Sequence, residues 1–186
     1  LTFADVSTLA VTMLTEDKAL RSFYKKKFRY IMIDEFQDNN AQQKAMLYLL
    51  AERLDRDGDG IPLPEDLQKD KLFFVGDEKQ SIYRFRGSDV RVFKQLSGEL
   101  ASIGGETITL GRNYRSEPEL IKLFNTMFSS IMQNEGESYE ADFSTLEFRD
   151  ASPGVQSSCT LLIKPYQESG GDEEEEEASS VEAEAY

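Results

Sequence analysis

The run Phe28-Arg29-Tyr30-Ile31-Met32-Ile33 ends in two adjacent carboxylates, Asp34-Glu35, and Phe36-Gln37-Asp38 follows. This step from an apolar run into acid constrains the fold more than any other feature of the chain. It reads as a buried strand, and in open α/β sheets the chemistry sits outside the carboxyl ends of the strands. Paired carboxylates there can hold magnesium and activate a water. Taken alone, the pair equally describes a strand end with two solvated acids.

The rest of the chain repeats the alternation of strand and helix. Asp5 can cap a helix with Val6, Leu9, Ala10, Met13 and Leu14 on one face. The basic patch Lys25-Lys26-Lys27 precedes the strand. Residues 41 to 53 read as a helix that buries Ala45, Met46, Leu49 and Leu50. Residues 55 to 70 form a polar insertion with Gly and Pro. Leu72-Phe73-Phe74-Val75 is a second buried strand, ending in Gly76-Asp77. Ser88 can cap a short helix containing Val90, Phe93 and Leu96, and Gly104-Gly105 marks a boundary. Beyond it, Thr107-Ile108-Thr109-Leu110 opens a new strand. Ser116 and Glu119 have capping-box spacing, with Pro118 in the first turn. Leu120, Phe124, Met127 and Ile131 follow at helical spacing, and Thr160-Leu161-Leu162-Ile163 reads as a last strand. Strands alternating with helices imply an α/β architecture with a largely parallel sheet.

At 186 residues the chain can hold one domain or two small half-domains. Its net charge of -14 argues at first against a nucleic-acid partner. Eight acids and no Lys or Arg lie between Gly171 and Tyr186, however, and without them the charge is -6. That tail reads as a solvated segment whose sign says little about the folded surface. The single cysteine, Cys159, excludes an intrachain disulfide and fits a reducing compartment, so a cytoplasmic location is expected. No apolar run approaches transmembrane length and no secretory signal pattern is present, so no membrane partner is expected. The chain starts at Leu1 within structured sequence, and an excised piece of a longer protein is the expectation.

Three segments carry chemistry. The first is Ile33-Asp34-Glu35-Phe36-Gln37-Asp38. The second, from Val75 to Gly87, sets Gln80, Tyr83, Arg84, Phe85 and Arg86 on the loop after the second strand. A side-chain amide there can contact a phosphate oxygen. Rings interleaved with arginines suit single-stranded nucleic acid, with bases stacked on rings and guanidinium groups on phosphates. The same loop is also consistent with Tyr83 and Phe85 in the core and arginines paired to local acids. The third segment, Leu110 to Ser116, sets Tyr114 and Arg115 between a strand and a helix. An arginine there can clamp a phosphate and a tyrosine can stack on a base; an ordinary β–α turn reads the same way.

In order, DEFQD, VGDEKQSIYRFRG and NYRS resemble motifs II, III and IV of the UvrD/Rep class of superfamily 1 DNA helicases. Leu1 to Val6 resembles the element before motif II. The flank of the third segment and the tail Glu182-Ala183-Glu184-Ala185-Tyr186 are most similar to the AddA/RecB helicase-nuclease branch. The resemblance implies a partial RecA-like P-loop NTPase fold. Residues 1–105 would be the later part of a first RecA-like domain, 106–170 the start of a second, and 171–186 an acidic tail. It implies that Asp34 coordinates Mg²⁺ on ATP, Glu35 acts as general base, and Gln80 senses the γ-phosphate and couples it to DNA. Tyr83, Phe85 and Arg86 would contact single-stranded DNA, with Phe85 where relatives often carry Trp. Tyr114 would stack on adenine and Arg115 would reach the γ-phosphate. The implied activity is ATP-driven translocation on single-stranded DNA and duplex unwinding in repair or recombination, typically 3′ to 5′.

No GxxxxGK[ST] phosphate loop occurs in the chain, and the late motifs of that class are absent. The chain on its own is therefore expected to hydrolyse ATP poorly or not at all. Two alternatives stand beside the helicase reading. One is the motor part of a helicase-nuclease with a nuclease or recombination partner subunit. The other is a nucleotide-regulated DNA-binding module that does not unwind. In the insertion, Asp55, Asp57 and Asp59 have the D-x-D-x-D-G spacing of a calcium loop, with Asp66 at the twelfth position. A flexible acidic surface loop is the alternative there.

Overall fold

A computed structural model describes residues 2–133 and 140–162. Nine helices and strands are assigned among them. In chain order these are α1 (Phe3–Glu16), α2 (Lys18–Lys27), β1 (Ile31–Ile33), α3 (Ala41–Ala51), β2 (Leu72–Phe74), α4 (Val90–Ser102), β3 (Arg112–Asn113), α5 (Pro118–Ile131) and β4 (Glu147–Phe148). Single 3₁₀ turns lie at Phe36–Asp38, Pro64–Asp66, Glu78–Gln80 and Arg84–Arg86. The architecture is mixed α/β. No helix among the described residues is long and apolar enough to cross a membrane.

β1 and β2 pair in parallel with Ile31 opposite Leu72, Met32 opposite Phe73 and Ile33 opposite Phe74. Successive side chains on a strand point to opposite faces. Ile31, Ile33, Leu72 and Phe74 therefore pack on the core of Phe36, Leu47, Tyr48, Ala51, Leu67, Val92 and Leu96. Met32 and Phe73 point the other way and are 73% and 57% exposed. Both strands are thus half-buried rather than fully buried as the sequence suggested, because one sheet face is covered and the other open.

The helices correct several expectations. α1 is capped by Thr2, with Asp5 as the reciprocal partner three residues in: Asp5 N–H donates to Thr2 Oγ1 and Thr2 N–H to Asp5 Oδ2. Its buried residue is Leu14, while Val6, Leu9 and Met13 are exposed, so the inward face is rotated by about a residue. α3 buries Leu47, Tyr48, Leu49 and Ala51 and does not present a single stripe, because it lies against α1 and α2 as well as the core. Tyr48 donates to Glu99 at 2.5 Å and Lys44 pairs with Glu99 at 2.6 Å, which ties α3 to α4. Burial first, then the Glu99 hydrogen bond and charge, raises the Tyr48 hydroxyl above its ordinary range and keeps it a donor. α4 is capped by Asp89, not Ser88. α5 begins after Glu117, not Ser116, with Pro118 in its first turn, and buries Ile121 in place of Met127 and Ile131. Residues 107–110 and 160–162 are not strands; β3 pairs in parallel with β4 instead, Arg112 opposite Glu147. Ile163 and the acidic tail lie outside the described residues.

The insertion is docked onto the domain. Glu52 is 1% exposed and takes Lys25 Nζ at 3.0 Å, Arg21 Nε at 3.5 Å and Arg56 Nε at 3.8 Å. Arg21 also donates to the carbonyls of Gly58 and Gly60, and Lys71 donates to the Lys25 carbonyl at 2.7 Å. Burial, then the Lys25 charge, lowers Lys71 below the ordinary lysine range. Lys25, which the sequence places in a basic patch, is in fact buried.

Candidate active site

The parallel pairing places Asp34 and Asp77 just beyond neighbouring strand ends. The turn after β1 is tight: Glu35 has φ 52° and ψ 41°, a left-handed conformation that costs a non-glycine residue about 1–3 kcal/mol. Asp34 Oδ1 accepts the Glu35 N–H at 2.9 Å and supports that turn. Both carboxylates are exposed.

Gln37, which no sequence motif singled out for a role, joins the two strand ends. It is 0% exposed. Its Nε2 donates to Glu35 Oε2 at 2.7 Å, and its Oε1 accepts the Asp77 N–H at 3.0 Å. Gly76 leaves room for it, since a Cβ at that position would lie 2.7 Å from Gln37 Oε1 and 2.9 Å from Phe93. The only sequence signal was a glutamine two residues beyond the acid pair. Next to it, Asp38 Oδ1 is buried without a hydrogen-bond partner. Burial, then the Glu35 charge, raises Asp38 above the ordinary carboxylate range.

Across the strand end, Asp77 receives Gln80 Nε2 at 3.2 Å, the Lys79 N–H at 3.1 Å and Lys79 Nζ at 2.9 Å. Burial opposes its charge, but the hydrogen bonds from Lys79 and Gln80 and the Lys79 charge outweigh it and hold the carboxyl below its ordinary range. Further along the loop, Tyr83 and Phe85 have ring centroids 6.0 Å apart. The Arg86 guanidinium lies 5.0 Å and 5.5 Å from those two centroids. Phe85 is 78% exposed, so it is not a core residue and its ring is presented to solvent. Gly87, with φ 88°, closes the turn.

Asn113 shapes the third segment. Its Oδ1 accepts the N–H groups of Arg115 at 3.0 Å and Ser116 at 2.9 Å. Arg149 donates to the Tyr114 carbonyl at 3.0 Å, to the Ser152 hydroxyl at 2.8 Å and to Glu117. Hydrogen bonds from Ser152 and then Arg149 hold Glu117 below the ordinary carboxylate range. Tyr114 and Arg115 are exposed beside an open hollow formed by Thr109, Leu110, Gly111, Arg112 and Glu147.

Asp34, Glu35, Asp77 and Gln80 are thus brought together, and Tyr83, Phe85 and Arg86 form one group. Among the described residues, no hydrogen bond, ion pair or ring contact joins Tyr114 or Arg115 to Glu35 or Gln80. The calcium-loop acids are not brought together either. Asp55 pairs with Arg53, Asp57 lies 3.8 Å from Lys25, and Asp59 pairs with Lys18 at 2.8 Å. No group of three or more acidic, His or Cys side chains suited to a metal ion occurs among the described residues.

Residues 1–101 match the family model of the UvrD/REP helicase N-terminal domain. The chain belongs to that family. This UvrD/REP-family chain is 36% identical over 132 residues to an ATP-dependent helicase/nuclease subunit of Streptococcus uberis and, over the same length, to its counterpart in Streptococcus mutans. The counterpart in Streptococcus agalactiae is 35% identical over 135 residues. These alignments cover 70–72% of this UvrD/REP-family chain and 10% of each relative, so the chain spans about one tenth of the length of the curated relatives it matches. The helicase-nuclease resemblance seen in the flank of the third segment agrees with those names.

Proposed function

We propose that this chain is the central segment of an ATP-dependent DNA motor of the helicase-nuclease kind, with a partial RecA-like fold. In this reading, residues 1–105 are the later part of a first RecA-like domain and 106–170 the start of a second. The observation that carries the proposal is the side-chain bridge from Glu35 to Asp77 at two parallel strand ends, with Gln80 and the Tyr83–Phe85 ring pair, its Phe85 exposed, on the same loop. Phosphoryl transfer needs little covalent chemistry from the protein, so positioning and charge dominate.

The exposed carboxylate of Asp34 is a hard oxygen donor suited to magnesium, which binds through one or two carboxylates and the phosphates of its substrate. Bound Mg-ATP would supply a γ-phosphoryl group open to attack by water. Glu35 Oε2 accepts from Gln37, which leaves Oε1 as the freer oxygen that would take the proton of that water. Gln80 would leave Asp77 to meet a phosphate oxygen. Tyr83 and Phe85 would hold successive bases of a single strand, with Arg86 on the backbone. Tyr114 would stack on adenine, and Arg115 would meet the γ-phosphate when the two halves close. Because the chain contains no GxxxxGK[ST] loop, the isolated chain would turn over ATP poorly. A partner subunit in nuclease or recombination work follows from the same reading, as do single-stranded and duplex DNA as ligands and a cytoplasmic location.

The test is ATP hydrolysis by the whole protein that carries this sequence, with and without single-stranded DNA, beside its Glu35→Gln form. DNA-stimulated turnover that disappears in Glu35→Gln is expected. Turnover indifferent to DNA would sink the ring pair as a DNA track. No turnover at all would favour a nucleotide-regulated binding module, and robust turnover by the isolated 186 residues would overturn the partial-domain reading.

A further inference from the structure

We infer that Gln37 is a positioning residue: on the motor reading above, it fixes the proton-accepting carboxylate of Glu35 and links it to the loop that would hold DNA. Three features of its surroundings support this. The carboxamide is fully buried and uses both ends, donating to Glu35 Oε2 at 2.7 Å and accepting from Asp77 N–H at 3.0 Å. The Gln37 carbonyl accepts Ser81 Oγ at 3.3 Å, and the Asn39 carbonyl accepts the Asp89 N–H at 3.1 Å. The loop from Asp77 to Asp89 is therefore attached at both ends and near Gln80 to the turn that carries Glu35. The amide oxygen also lies close against Gly76, where a Cβ would stand 2.7 Å from it.

Glu35 sits in a left-handed turn, so its side chain depends on such contacts for direction. A carboxylate gripped at Oε2 presents Oε1 in one orientation, and misplacing a reacting group by about 1 Å costs on the order of 100-fold in rate. A shift of the Asp77–Asp89 loop on binding a single strand would reach the Glu35 carboxylate directly through the Gln37 side chain and its turn through the Ser81 and Asp89 contacts. The middle of that link, the Gln37 carboxamide, is fully buried, while its Glu35 end faces solvent.

Two substitutions test this in the whole protein. Gln37→Leu keeps the bulk and removes both side-chain bonds. The expected result is a fall in kcat of roughly 10- to 100-fold with KM for ATP little changed. It should also abolish the stimulation by single-stranded DNA. Gln37→Glu keeps an acceptor for Asp77 N–H but sets a second carboxylate against Glu35, and two adjacent acids disfavour each other's ionised form. Its pH profile should change shape: the acid limb of kcat moves by about 1 pH unit or more relative to the parent, and DNA stimulation is weakened. A misfolded protein would not give an active enzyme with a displaced pH limb. Unchanged kcat, pH profile and DNA stimulation in both variants, with turnover abolished in Glu35→Gln, would overturn the inference alone. A loss in Gln37→Glu that is the same at every pH would also overturn it. Turnover that survives Glu35→Gln would overturn the proposed function and the role of Gln37 with it.

Discussion

Neutralising Glu52 should destabilise the chain more than any other single change in its charged groups. In Glu52→Gln the shape is kept and the charge removed, leaving Lys25 and Arg21 buried without it. At an effective dielectric of about 20, the attraction between unit charges at the 3.0 Å of the Lys25 contact is roughly 5–6 kcal/mol, and at the 3.5 Å of the Arg21 contact roughly 5 kcal/mol. Desolvation of the ions offsets much of that, and breaking buried pairs by removing one partner typically costs about 3–5 kcal/mol. We expect a loss in that range from urea unfolding followed by circular dichroism. Lys25→Met should cost less, because Glu52 keeps Arg21 and Arg56. Arg91→Ala, which breaks an exposed pair with Asp89, should stay within about 1 kcal/mol. High salt should not erase the Glu52→Gln effect, since buried pairs are poorly screened. A loss below about 1 kcal/mol, or one equal to that of Lys25→Met, would refute the view that Glu52 is the shared counter-ion of the insertion.

Gly76→Ala sets a methyl 2.7 Å from Gln37 Oε1 and 2.9 Å from Phe93. It should cost about 1–3 kcal/mol in thermal or urea unfolding. Asp38 has its carboxyl raised by burial and by Glu35. The folded state therefore holds a proton that the unfolded chain releases, and stability falls as pH rises from the ordinary Asp value through the raised one. Asp38→Asn should remove that fall, giving a higher melting temperature than the parent near neutral pH and no gain at strongly acid pH. Phe85→Ala should weaken binding of a single-stranded oligonucleotide by about 1–3 kcal/mol in a fluorescence titration; an unchanged affinity would remove Phe85 from the DNA track. Adding calcium should leave protease cleavage around Asp59 unchanged, because each acid of that loop already faces a cation.

The two strand ends and their acids were legible in sequence because residue type and short-range order carry them. Asp34, Glu35, Gln80 and the ring pair are recognisable in consecutive residues. Gln37 was not, because the partner that defines it, Asp77, lies 40 residues away. Lys25 read as part of the basic patch Lys25-Lys26-Lys27, and its burial depends on distant partners, Glu52 27 residues on and the Arg56 carbonyl 31 residues on. Cap positions slipped for a local reason. Thr2 and Asp5 cap each other reciprocally, and Ser88 stands directly beside the true cap Asp89. The expected strand at 107–110 has the right residues, but Ile108 and Leu110 stay 77% and 85% exposed. A strand is defined by its partner, and β4, which pairs with Arg112 and Asn113, is only two residues long.

Arg149 has a practical meaning for anyone dissecting this protein. Four of its hydrogen bonds gather Tyr114, Glu117, Asp150 and Ser152 into one knot. The segment bearing Tyr114 and Arg115 therefore borrows its shape from residues more than thirty positions downstream. A shortened version cut after α5 would contain every residue of NYRS and still lack the clasp that aims them. The smallest excisable unit with a shaped third motif reaches Ser152, well past the last residue of the family match at 101.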